Sequence, residues 1–167
     1  YGATAEIAEK IGEVLRGSGL NVSISPAYEV RDVNPYNAVV LGSGVYAGHW
    51  LKEAVAFLES NQKTLATKPF WVFSSGPTGE GDPVEIMHGW RFPEAQQPVI
   101  DYIKPRDITL FHGNIDLHKL HLADKLIVKA VRAKVGDFRN WEAIGTWAKG
   151  IASALQPQPE VVKEVVG

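Results

Sequence analysis

Three short stretches gather the residues that could do chemistry. "YGAT" opens the chain at residues 1–4, "GSGVYAGHW" occupies 42–50 and "SSGPTGEGD" occupies 74–82. All three are rich in glycine and small hydroxyl residues, which let backbone N–H groups approach a ligand closely. The first runs straight into a helical pattern, so Thr4 marks a helix N-terminus, where unsatisfied amides and the helix dipole favour an anionic phosphate. Plainer readings stand beside these: Thr4 as an ordinary N-cap, and 75–79 as an ordinary turn cluster. His112, His118 and His121 lie close in sequence, but no acidic or cysteine partner completes a metal-binding spacing, so no metal site is expected. The chain has no cysteine, which excludes disulfides, thiolate ligands and thiol catalysis. No side chain stands out as an acid or base, so no catalytic residue is assigned.

Loops of this kind need a scaffold that brings them together. The 167 residues, 45% apolar and 22% charged, suit one ordinary globular domain. A net charge of -2 gives no argument for nucleic acid, and no apolar run approaches the roughly 18 residues of a membrane span. With no visible signal peptide the cytoplasm is the expected location. Helical and strand patterns alternate. Residues 4–17 read as a helix stopped by Gly17 and Gly19, and "LNVSIS" (20–25) alternates as a half-buried strand does. "NAVVLG" (37–42) and "PFWVFS" (69–74) are continuous apolar runs, the pattern of central strands covered on both faces. Further helices are expected over about 50–61, 120–133 and 141–155, with another alternating strand at 107–112. Alternation of this sort predicts an α/β fold, a doubly wound parallel sheet in three α/β/α layers, with ligands beyond the carboxyl ends of its strands. Residues 1–155 form the domain, and 156–167 read as a C-terminal tail whose valines suit a frayed amphipathic helix.

The ordered set of loops resembles a known family. "YGAT" before a helix, "VVLGSGVYAGHW" and "FSSGPTG" look like the phosphate loop and the two ring-flanking loops of flavodoxin-like proteins. More narrowly, "YGATAEIAEKIG", "GSGVYAGHWLKEA" and "GDFRNWEAIGTWAKGIA" are similar to the flavodoxin-domain group that contains the menaquinone-dependent protoporphyrinogen dehydrogenases. The likeness covers nearly all of residues 1–155 and implies the strand order 2-1-3-4-5. It also implies a short apolar strand and a Ser/Thr-Lys pair ahead of Tyr1, so the first strand is expected to be missing from this chain and strand 20–25 to lack its neighbour.

The resemblance implies FMN as cofactor. Tyr1, Gly2, Ala3 and Thr4 would hold its phosphate. Ser43, Gly44, Val45, Tyr46 and Ala47 would pass one side of the ring, with Tyr46 or Trp50 stacking on it; core packing is the other reading of Trp50. Ser75, Gly76, Pro77, Thr78 and Gly79 would line the other side. An FMN-dependent oxidoreductase or electron-transfer flavoprotein follows, with protoporphyrinogen dehydrogenase-like activity, a porphyrinogen donor and a quinone acceptor as the closest specific activity. The alternatives are a non-enzymatic electron carrier and a flavin-free interaction module on the same fold. The flavin loops lack the dense acidic surface of carrier flavodoxins.

Two further stretches stand out. "HKLHLADKLIVKAVRAKV" (118–135) combines aliphatic residues with Lys119, Lys125, Lys129, Arg132 and Lys134. It reads first as a helix packed on the sheet with a solvated basic face, and second as a contact for an anionic membrane surface or an acidic porphyrin. Residues 76–98 read as a long loop, either a lid or a cover for the sheet edge.

Overall fold

The computed structural model describes residues 2–156. Tyr1 and the tail from 157 onward lie outside the described residues.

Helix α1 spans Ala3–Gly17 and buries Ile7, Ile11 and Leu15, the face set by their helical spacing. Strand β1 (Val39–Tyr46) turns back through Ala47 and Gly48 into the two-residue strand β2 (His49–Trp50). Both turn residues have positive φ, 49° and 79°, the signature of a type I′ hairpin. The run expected to end at Gly42 therefore continues four residues further, because Gly42, Ser43 and Gly44 keep their pairing with the neighbouring strand. Helix α2 (Lys52–Leu65) leads to β3 (Phe70–Ser75), every residue of which is buried. Short helices α3 (Pro83–Ile86) and α4 (Gln97–Ile103) precede β4 (Asp107–Phe111). The chain closes with the two-residue strand β5 (Asn114–Ile115), α5 (Leu122–Ala130), its pairing partner β6 (Gly136–Asp137) and α6 (Trp141–Leu155).

Strands β1, β3 and β4 lie parallel in that order, with β2 antiparallel beyond β1. They are the expected succession of third, fourth and fifth strands in a doubly wound sheet. Alternation along β3 divides the core. Phe70 and Val72 join Leu41, Trp50, Phe57, Leu58 and the α4 isoleucines on one face. Trp71 and Phe73 join Ile7, Ile11, Leu15, Ile144 and Ile151 of α1 and α6 on the other. Three layers result, as expected.

Residues 20–26 correct the sequence reading. They form no strand, and along Val39–Gly44 the side of β1 away from β3 pairs with no strand among the described residues. An alternating run becomes a strand only with a ladder to join. Here Leu20 and Val22 pack against the α1–α6 core instead, and the Ile24 side chain closes over Gly12 so tightly that a Cβ there would lie 2.4 Å from it. Residues 76–98 are also not one loop. Asp82 caps α3 by accepting from the Val84 and Glu85 amides, and α3 packs on the outer strand β4. Helix α4 escaped notice because Pro98 lies within it, yet proline in a first turn sacrifices no hydrogen bond.

No helix among the described residues is long and apolar enough to cross a membrane.

Candidate functional site

Gly2, not Thr4, caps α1. Its φ of 91° and ψ of -17° place it in the left-handed region, and no side chain accepts from the first turn. The Glu6 amide returns to the Gly2 carbonyl at 3.0 Å, which leaves the amides before it as the unsatisfied donors of a helix start. Thr4 lies inside the first turn, so the plain N-cap reading of Thr4 does not hold.

The carboxyl ends of the strands converge on this helix start, and the glycines are what let them. A Cβ on Gly44 would lie 3.1 Å from Thr4 Oγ1, one on Gly76 3.0 Å from the Val45 Cβ, and one on Gly113 3.1 Å from the Gly76 carbonyl oxygen. Thr4, Gly44, Val45 and Gly76 are thus brought together, with Gly113, which the sequence did not single out, packed against Gly76. Thr78 adds an unsatisfied group: its hydroxyl is buried and has no hydrogen-bond partner among the described residues. A buried unpaired hydroxyl costs about 1–3 kcal/mol.

Other candidates have different work. The Ser43 hydroxyl donates to the Gly44 carbonyl at 2.8 Å and accepts from the Leu51 amide at 3.2 Å, bracing the hairpin from inside. Ser75 is buried at the end of β3. Trp50 is 5% exposed in the α2 core, and its indole N–H donates to Ser74 Oγ at 2.8 Å. That position gives Trp50 a packing role and leaves Tyr46, 41% exposed, as the accessible aromatic of the pair. Ala47 occupies the hairpin turn, and Gly79 has a φ of 152°.

Two residues that the sequence reading did not place in the site help to shape it. His112, buried just beyond β4, sets Nδ1 3.0 Å from the Pro77 carbonyl and Nε2 2.7 Å from the Gly81 carbonyl. It spans the base of the loop that carries Thr78. The sequence hid it by taking His112 as the last residue of a strand over 107–112, whereas β4 ends at Phe111 and leaves His112 at the carboxyl edge of the sheet. It is not gathered with His118 and His121 into a metal cluster; no such group occurs among the described residues.

Arg139 is the second. Its side chain is 5% exposed, with Nε 2.8 Å from Asp137 Oδ1, Nη2 2.6 Å from Asp137 Oδ2 and Nη1 2.6 Å from Glu6 Oε2. Nη1 also reaches the Ala3 carbonyl at 3.4 Å, and the guanidinium lies 4.6 Å from the centre of the Trp141 ring. The hydrogen bond from Arg139 holds the Asp137 carboxyl below its ordinary range, and the bond to Asp137 raises the guanidinium further above its own. The first turn of α1 is thereby bolted to the segment before α6.

Two depressions of the described surface lie elsewhere, one along the charged face of α1 (Glu6, Glu9, Lys10, Glu13, Arg16) and one beside β4. A face of alternating acids and bases is ill suited to a flat aromatic ring.

The chain belongs to the flavodoxin domain family, whose sequence model matches residues 1–140. Comparison with curated proteins gives no match. Among solved structures, rubredoxin oxygen:oxidoreductase from the anaerobe Desulfovibrio gigas is similar over 92% of this chain and 33% of its own, with 15% identity and a TM-score of 0.59. The flavodiiron protein from Giardia intestinalis aligns over 94% of this chain and 36% of its own, at 16% identity and a TM-score of 0.41. The chain spans about a third of the length of either. At such identity the first likeness shows the fold: the flavodoxin-like doubly wound sheet expected from the sequence.

Proposed function

We propose that this domain binds FMN across the start of α1 and the carboxyl ends of β1 and β3, and serves as an FMN-dependent oxidoreductase or electron-transfer flavoprotein. Membership of the flavodoxin domain family supports a flavin-binding, electron-transferring role. The observation that carries the specific site is the buried Thr78 hydroxyl, without a partner among the described residues, on the loop that follows the closely packed Gly76. A ligand that bonds to such a group removes the cost of leaving it unpaired.

FMN, when bound, supplies one- and two-electron redox chemistry at its ring. The residues of this chain bind and orient. The unsatisfied amides after Gly2 and the Thr4 hydroxyl would hold the phosphate, as the dipole of a 15-residue helix favours. Tyr46 would cover one side of the ring, and Pro77, Thr78 and Gly79 would face the other, with the Thr78 hydroxyl in hydrogen bond to the flavin. His112 and Arg139 keep those two loops in place.

The finer reading is oxidation of a porphyrinogen with a quinone as acceptor, in the cytoplasm, in the manner of the menaquinone-dependent protoporphyrinogen dehydrogenases. It is supported by the likeness of "GSGVYAGHWLKEA" and "GDFRNWEAIGTWAKGIA" to that group. The test has two stages. Titration with FMN, followed by flavin fluorescence, is expected to show saturable quenching; its absence overturns the flavin reading and leaves an interaction module. The loaded protein is then mixed with protoporphyrinogen and a soluble menaquinone. Turnover supports the dehydrogenase, whereas reduction and reoxidation by protein partners alone would make the domain a carrier.

A further inference from the structure

Helix α5 has an unusual surface for a helix of a compact domain: none of its residues is buried. The preferred sequence reading, a helix packed on the sheet, is therefore overturned. Leu122 is 76% exposed and Leu126 62%, one helical turn apart on the outermost face. Val131 and Val135 continue the apolar surface beyond the C-terminus of the helix, at 65% and 49%. Lys125 and Lys129 form the adjacent row, again one turn apart, and Lys119, Arg132 and Lys134 complete a set of five cations within 118–135. Asp124 is the sole acidic residue of that stretch, and it accepts a hydrogen bond from Tyr46. None of the five cations takes part in an ion pair among the described residues.

We propose that the face of residues 122–135 docks on an anionic lipid surface. Charge argues for the occupant: four basic residues against one acid are concentrated here, with Lys119 just ahead of them, on a chain whose net charge is -2. The pairing of side chains argues for it too. Aliphatic tips project beside lysines whose stems can lie along the same apolar layer while their ammonium groups reach lipid phosphates. A soluble acidic partner would use the cations and leave the projecting leucines in water. The docked helix would bring the flavin loops to the bilayer, since Tyr46 at the end of β1 is bonded to Asp124 of α5. The lipid contact itself does not depend on the flavin.

The test is co-sedimentation of the full chain with vesicles of phosphatidylcholine, with and without phosphatidylglycerol. Binding to the anionic vesicles is expected, at least ten-fold tighter than to phosphatidylcholine alone and weakened by salt, since each cation near an anionic surface contributes roughly a five-fold gain. The charge reversal Lys125→Glu/Lys129→Glu is expected to abolish it. Leu122→Ser/Leu126→Ser, which keeps every charge, is expected to weaken it at least ten-fold. Both pairs are on the outer surface, and unchanged circular dichroism and Tm show that the fold persists. Three results would overturn the proposal: no binding to anionic vesicles, binding indifferent to the leucine pair with equal capture by soluble polyglutamate, or a solution dimer that the leucine pair dissociates.

Discussion

The Tyr46 hydroxyl donates to Oδ1 of Asp124 at 2.7 Å, across a sequence separation of 78 residues. The bond ties the end of β1, where the flavin ring is proposed to lie, to a helix that buries none of its own side chains. A helix so placed depends on a few polar attachments and opens locally at small free-energy cost.

Tyr46→Phe is expected to speed amide exchange in Leu122–Ala130 while lowering the global Tm by no more than about 4 °C, as befits one partly exposed hydrogen bond. Hydrogen exchange resolved by fragment checks it. Unchanged protection in α5 would show that the bond does not hold the helix.

Thr78→Val has two opposite expected effects. Without FMN the variant should gain about 1 kcal/mol in urea unfolding, because a buried unpaired hydroxyl is removed. With FMN its affinity should fall about ten-fold, the loss of one useful hydrogen bond. A variant that is less stable and binds equally well would contradict the role given to the hydroxyl.

Gly42→Ala would place a methyl group 2.1 Å from the Phe73 ring. Overpacking on this scale should destabilise by about 3 kcal/mol or more, and a second substitution, Phe73→Leu, should recover part of the loss. Denaturant midpoints of the single and double variants measure both.

The Arg139–Asp137 pair should make stability depend on pH in one direction. The folded-state pKa of Asp137 is lowered, so its contribution is present above the ordinary carboxylate range and is lost as pH falls below about 4. Arg139 is raised from a value already far above neutrality, so its part is constant over ordinary pH. Asp137→Asn should therefore lower Tm at neutral pH and match the natural chain at strongly acid pH. Parallel Tm curves would exclude the carboxylate as the source.

Much of this arrangement was legible in residue order. Ile7, Ile11 and Leu15 announced a helix face, and "PFWVFS" announced a strand covered on both sides, because burial writes a period directly into sequence. Partners are harder to read than periods. "LNVSIS" carries the alternation of a strand but has no ladder among the described residues, and the apolar residues of 118–135 have the spacing of a packed helix without its packing. In the site, Gly44 and Gly76 could be picked out by composition. Trp50 could not be assigned to ring or core until the Ser74 hydroxyl was seen beside its indole, and Arg139 gains its meaning from Glu6, 133 residues away.

The two-rung ladder Asn114↔Asp137 and Ile115↔Gly136 closes the base of the segment that carries α5. Because the chain leaves and re-enters the domain at neighbouring points, whatever lies between can be lengthened, shortened or exchanged without moving β4 or α6. The domain is in this respect a socket with an interchangeable fitting: the hairpin-bounded insert can be rewritten without rebuilding the scaffold, and an engineer could do so by replacing residues 116–135 with a tight turn.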